Sequence, residues 1–157
     1  MWSPYRKGDI EELEKVQLRA TKIIPALWGL SYKERLKRCK LCTPKFMRMR
    51  GDMIETYKIL TGKYDAAAIP RFDVCGEIKT RGNIYKINTA RCKYDLRKYY
   101  FTNRVINAWN SLPNYIVVSD TTNQFKNRLD KFWHNQDMIY DYTADMTGIG
   151  NRSESVV

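Results

Sequence analysis

Histidine occurs once in this 157-residue chain, as His134, and no two aspartates are adjacent. The first scarcity leaves a single imidazole, in the final helix, for any Ser or Cys nucleophile to recruit. The second leaves no Asp-Asp pair of the kind that helps gather two metal ions for nucleotidyl transfer. A Gly-rich phosphate loop is missing too, and Ser111 sits in Asn-Ser-Leu-Pro rather than in a nucleophile elbow. Isolated acids such as Asp9, Asp52 and Asp130 read as caps and helix-surface charges. Catalysis by this chain alone is therefore not expected. Long apolar runs are also lacking: Tyr115–Val118 is among the longest and is far too short to span a bilayer. Arg6, Lys7 and Asp9 occupy the place where a signal peptide needs its apolar stretch, so an intracellular protein is expected.

Cysteine is sparse. Cys39 and Cys42 have the two-residue gap of a zinc half-site, but Cys75 and Cys92 form no second close pair and have no histidine beside them. Reduced, partly buried thiols are the expectation, without a metal site and without a disulfide framework.

Positive charge, by contrast, is abundant, with a formal net charge of +11. Residues 1–50 carry 13 Lys/Arg against 5 Asp/Glu, residues 51–105 carry 11 against 6, and the remainder carries 4 against 6. A positive field concentrated in the first two thirds favours a polyanion, and nucleic acid is the commonest inside a cell. The densest stretch runs from Lys33 to Arg50, where Lys33, Arg35, Lys37, Arg38, Lys40, Lys45, Arg48 and Arg50 face Glu34 alone. The alternative is a solvated surface that is merely basic.

Apolar spacing places the elements. A first helix has Asp9 as cap, Glu11 and Glu12 near its positive end and Pro25 as its stop. Ile10, Leu13, Val16, Ala20 and Ile23 make one stripe on it, and Lys15, Arg19 and Lys22 make a second row on another side. Ser31 and Glu34 form a capping-box pair opening a second helix. Thr43 and Pro44 open a third, running to about Thr61 with Gly62 as its terminator. Phe46, Met47, Met49, Met53, Ile54, Tyr57 and Leu60 share one arc of it, and Arg50 falls inside that arc. Residues 63–93 lose the helical period, with Pro70, Gly76 and Gly82 as punctuation and Ile84–Ile87 as a short strand. A fourth helix is expected from Asp95 to Ser111, apolar on two sides. Phe101, Val105, Ala108, Trp109 and Leu112 share one face, and Leu96, Tyr99, Tyr100 and Ile106 the other. A last helix starts near Thr121 or Thr122 and carries Phe125, Leu129, Phe132 and Trp133.

The expected fold is thus mainly α: a single helical domain over residues 1–134, of about five helices, with a small extended or β insert near residues 63–93. Residues 135–157 are expected as a disordered tail. Two helices joined by a short, positively charged turn can straddle a duplex backbone. The tyrosines offer stacking partners, although Tyr5, Tyr99 and Tyr100 are equally suited to the core or its edge. The candidate nucleic-acid-binding set is the eight cations above together with Lys15, Arg19 and Lys22. Nothing marks a base-reading helix, so binding is expected to tolerate sequence.

An ordered series of phrases completes the reading: WSPY, DIEELEKVQLRATKII, LSYKERLK, RMRGDMIETYKIL, FTNRVINAWNSLP and FKNRLDKFW, over about residues 2–134. In this order they resemble the region following the polymerase core in jockey-like non-LTR (LINE-type) retrotransposon reverse transcriptases. The resemblance implies a helical, thumb-like or connector segment that touches template and primer RNA or DNA and leaves catalysis to carboxylates upstream. It also implies that Mg²⁺ belongs to the polymerase core, with no cofactor in this chain, and that the protein works at chromosomal DNA in the nucleus. Cys39 and Cys42 depart from the aliphatic or proline-like residues of relatives. Met1 stands where a relative's chain would continue upstream. Three roles follow: a template–primer-holding segment of a polymerase, a host-retained nucleic-acid-binding module, or a protein-interaction domain docking on the polymerase core through the helix around Trp109.

Overall fold

The computed structural model describes residues 3–65, 67–76, 83–89 and 91–148. These are mainly helical, and their only β pairing is an isolated antiparallel bridge between Val74 and Ile87. Trp2 and Gly82, used in the sequence reading, lie outside the described residues. The chain divides into two compact units, residues 1–50 with 134–147, and residues 51–133 with 148–157.

The first unit contains α1 (Lys7–Lys22), a 3₁₀ turn at Pro25–Leu27, α2 (Tyr32–Cys39), the start of α3 (Pro44–Leu60) and a second 3₁₀ turn at Asp137–Ile139. Helix α1 begins earlier than expected: Arg6 is its N-cap without a side-chain bond, so Asp9 is a first-turn acid rather than the cap. The capping box at α2 is present, with the Ser31 side chain accepting from the Glu34 amide and the Glu34 carboxylate accepting from the Ser31 amide at 2.9 Å. That pairing holds the Glu34 carboxyl below its usual range, through the Ser31 hydroxyl first and its amide second. Thr43 caps α3 by accepting from the Phe46 amide at 3.2 Å.

The buried face of α1 is not the apolar stripe. Val16 and Ile23 are exposed, whereas Glu14 and Thr21 are buried. Glu14, only 1% exposed, accepts from the Tyr32 hydroxyl of α2 at 3.2 Å and from the Lys45 amide in the first turn of α3 at 2.8 Å. One carboxylate thus joins three helices and satisfies an amide that the helix start leaves without an internal partner. Burial raises the Glu14 carboxyl above its ordinary range, outweighing the hydrogen bonds that lower it.

The segment after His134 is not the featureless tail expected as far as it is described. Met138 is fully buried, and its carbonyl accepts from the Thr43 hydroxyl at 2.7 Å. The Ile139 carbonyl accepts from the Thr43 amide at 2.9 Å, and the Tyr142 ring meets Tyr32 edge-on. One buried methionine and hydrogen bonds to the segment's backbone carbonyls tie down a stretch with no apolar period, which is why periodicity does not reveal it. Residues 149–157 lie outside the described residues.

The second unit is built around Trp109, Tyr57 and Phe125. The Tyr57 and Phe125 rings stack at 4.4 Å between centroids, and Trp109 tilts against Phe125 at 6.0 Å. The expected fourth helix is three short ones, α4 (Asp95–Lys98), α5 (Phe101–Arg104) and α6 (Ile106–Asn110). The break falls at Tyr100, whose ψ of 150° is extended, and Asn103 Nδ2 donates to the Arg97 carbonyl at 2.6 Å across it. The face of Phe101, Val105, Ala108, Trp109 and Leu112 is buried as expected. Of the opposite face only Ile106 is buried, while Leu96 is 86% exposed and Tyr100 is exposed too.

Segment 83–88 is strapped to α6 by asparagines rather than by strand pairing. Asn110 accepts from the Ile87 amide at 2.9 Å and donates to its carbonyl at 2.8 Å, in the manner of a neighbouring strand. Trp109 Nε1 donates to the Tyr85 carbonyl at 2.8 Å, and Asn83 Nδ2 donates to the Trp109 and Leu112 carbonyls. The unit closes with α7 (Asn114–Val117) and α8 (Thr122–Phe132), the latter capped by Thr121. Arg128 of α8 donates to the Tyr115 carbonyl and, at 2.9 Å, to the Val118 carbonyl at the end of α7.

Candidate nucleic-acid interface

All eleven cations of the candidate set belong to the first unit, and the fold sorts them into two groups. Lys15, Arg19 and Lys22 on α1 are exposed, as are Lys33, Lys37 and Arg38 on α2 and Lys40 at its end. Helices α1 and α2 are held together by the Tyr32–Glu14 bond and by Arg35 Nε donating to Thr21 Oγ1 at 3.2 Å. Two rows of cations at helical spacing therefore share one compact unit. The long stems of such side chains let their charged ends follow a phosphate backbone.

Arg35 leaves the solvent-facing set. It is 6% exposed, donates from Nη1 to the Leu30 carbonyl at 2.6 Å, and lies 5.8 Å from the Tyr32 ring centroid. Its planar fork suits it to such bonding where a lysine's single charged point would not. Lys45 is engaged as well, donating to the Tyr142 carbonyl at 3.1 Å and the Ala144 carbonyl at 2.8 Å beside Asp145. Both cations hold the fold. Arg48 and Arg50 are half-buried, and Arg48 is close enough to favour the charged form of Glu14.

The exposed cations differ among themselves. Lys15 pairs with Glu12 at 2.6 Å, which raises the Lys15 pKa and lowers that of Glu12, first through the hydrogen bond and then through charge. A solvent-exposed pair of this kind contributes little to stability and opens readily when a phosphate competes. Lys37 Nζ lies 5.6 Å from the Tyr140 ring centroid, so the segment after His134 sets the direction of one α2 cation.

Lys40 holds the left-handed conformation, at φ 54°, where glycine is usual. The Leu41 amide donates to the Leu36 carbonyl at 2.9 Å and the Lys40 amide to Lys37 at 3.2 Å, the paired bonds of a Schellman turn. A lysine tolerates this at a cost, and the turn thrusts its charge out at the end of α2.

The described residues contain no cluster of three or more His, Cys, Asp or Glu side chains suited to a metal ion. Among them no helix is long and apolar enough to cross a membrane. Cys39, Cys42, Cys75 and Cys92 are each partly buried and none is joined in a disulfide among the described residues. Asp52, read from sequence as a helix-surface charge, is instead buried in a two-pronged pair with Arg104 (Nε to Oδ2 and Nη2 to Oδ1, both 2.9 Å).

Sequence reasoning passed over Trp28. It is 70% exposed, whereas Trp109 and Trp133 are buried. Its Nε1 donates to the Lys22 carbonyl at the end of α1, at 2.9 Å, so the ring is pinned at the surface. The available signal was an aromatic between Pro25 and Gly29, in a turn with no apolar period to bury it. No protein-family model, curated protein or solved structure matches this chain, so its functional reading rests on the residues and geometry above.

Proposed function

We propose that this chain is a non-catalytic segment that holds template or primer for a LINE-type reverse transcriptase, and that its first unit contacts the nucleic-acid backbone without reading sequence. One observation carries the reading: seven cations of α1, α2 and the α2 end are exposed in one compact unit, while Arg35 and Lys45 are consumed in holding it together. A field of this kind draws in phosphates by releasing their counterions, and it carries no base code. Bond-making, and the Mg²⁺ that serves it, belongs to a polymerase core.

The experiment is a binding comparison on two primer–template duplexes of unrelated sequence. The expected result is similar affinity for both, and an equal loss on both in the variant R19A/K22A/K33A/K37A. A strong preference for one duplex, or undiminished binding by that variant, would refute the proposal.

A second reading, docking on a polymerase core, is favoured by the exposed Tyr94, Leu96 and Tyr100 around α4. Trp109 is itself fully buried, so docking would use this outer face rather than the indole.

A further inference from the structure

Beside Trp28 lies an open depression of about 370 Å³, lined by Lys22, Leu27, Trp28, Gly29, Leu30 and Arg35. Its volume is at the lower end of the range for small-ligand sites. Its walls combine three features seldom found together. The first is an exposed indole, fixed in place by its Nε1–H bond to Lys22. The second is an exposed lysine, Lys22, at the rim. The third is Arg35, more than nine-tenths buried as a residue, with Nε engaged by Thr21 and Nη1 by Leu30. Among the described residues no carboxylate pairs with Arg35, and Nη2 has no acceptor.

A charge largely withdrawn from water normally finds a counter-ion or a full set of acceptors. Here two neutral oxygens and the Tyr32 ring are what the chain supplies, so an anion entering the depression would complete the set. An aliphatic side chain from a protein partner would cover the indole but leave this charge uncompensated. A nucleotide provides both missing parts, a π face for the indole and a phosphate for the guanidinium.

We infer that this depression binds an unpaired nucleotide of a single strand, with its base stacked on Trp28 and its phosphate held by Arg35 Nη2 and Lys22. The inference rests on the nucleic-acid reading above and narrows it. A paired base keeps its face inside the duplex stack and cannot lie on the indole, so the site selects single-stranded or frayed ends.

The test uses the full chain, a short oligothymidylate and a blunt duplex of equal length. Binding is followed by anisotropy of the labelled nucleic acid and by tryptophan emission. Trp28→Ala is expected to weaken oligothymidylate binding by about tenfold while leaving duplex binding unchanged, and Trp28→Phe to restore most of the loss. Oligothymidylate should quench wild-type emission, and this quenching should be missing in Trp28→Phe, which reports on the site even if Trp28→Ala folds poorly. If both nucleic acids bind but neither affinity nor emission depends on residue 28, the inference is overturned and the backbone-contact proposal stands. An equal loss on duplex and single strand in Trp28→Ala also overturns it. If the wild-type chain binds neither nucleic acid, both fall.

Discussion

The Asp52–Arg104 pair ties α3 to α5, and its removal should be costly. The side chains are 8% and 16% exposed, and the two bonds are parallel, each at 2.9 Å. Charge-assisted, two-pronged bonds of this length are strong, but both ions have been withdrawn from water to form them. Truncating one partner takes both charge-assisted bonds from the other. Asp52→Ala removes the carboxylate that accepts from both Nε and Nη2, and neither the Phe101 ring 5.4 Å away nor the Tyr99 carbonyl at 3.5 Å replaces it. Because Arg104 keeps some access to water, the expected cost lies at the lower end for buried pairs, about 3 kcal/mol. Replacing both, as in D52L/R104M, removes both charges and should return stability to within about 1 kcal/mol of wild type. Urea unfolding of wild type, D52L, R104M and D52L/R104M in a double-mutant cycle gives the coupling directly, and about 2 kcal/mol or more is expected. A coupling below about 0.5 kcal/mol, the value for solvent-exposed pairs, would refute the assignment of this pair as a buried tie.

Other perturbations have equally definite expectations. Lys40→Gly relieves a left-handed lysine in the Schellman turn and should stabilise the chain by about 1 kcal/mol, read as a raised midpoint in thermal unfolding. Glu14 has its carboxyl raised by burial, so the folded state binds this proton more tightly than the unfolded state. The resulting stabilisation is fully present below the unfolded carboxyl value and is lost as pH rises through the raised folded value. Stability should therefore increase as pH falls from neutrality toward the ordinary carboxylate range, and Glu14→Gln should flatten that rise. Glu12, Glu34, Glu55 and Asp141, all lowered, contribute losses only at more acidic pH. Asn110→Ala deletes both bonds to Ile87 and should cost about 1–3 kcal/mol, with hydrogen exchange accelerated at the Ile87 amide.

Local chemistry was legible in the sequence wherever it was self-contained. The Ser31–Glu34 box, the Thr43–Pro44 start of α3, Gly62 in the left-handed conformation at its end and Thr121 before α8 all stand where residue type and spacing put them. What failed depended on distant partners. An apolar stripe states which face of α1 would gain from burial, but Tyr32 and the Lys45 amide supply donors that draw Glu14 inward instead. The long fourth helix breaks at Tyr100, and the expected strand shrinks to one bridge because Asn110 takes the place of a partner strand. The cations show the same limit. Helical spacing sets Arg35 nearer than Lys33 to the side of Tyr32, Leu36 and Cys39, but it cannot show that Thr21 and Leu30 take its bonds.

The central claim is that the exposed cations of the first unit hold a nucleic-acid backbone, and a salt titration of primer–template duplex binding tests it most directly. About four to six phosphate contacts predict a log–log slope near −4 to −5. Each of Arg19→Ala, Lys22→Ala and Lys33→Ala should reduce the slope by about 1, while Lys131→Ala on α8 should leave it alone. Binding that is indifferent to salt, or a slope unmoved by loss of these three cations, would contradict the account.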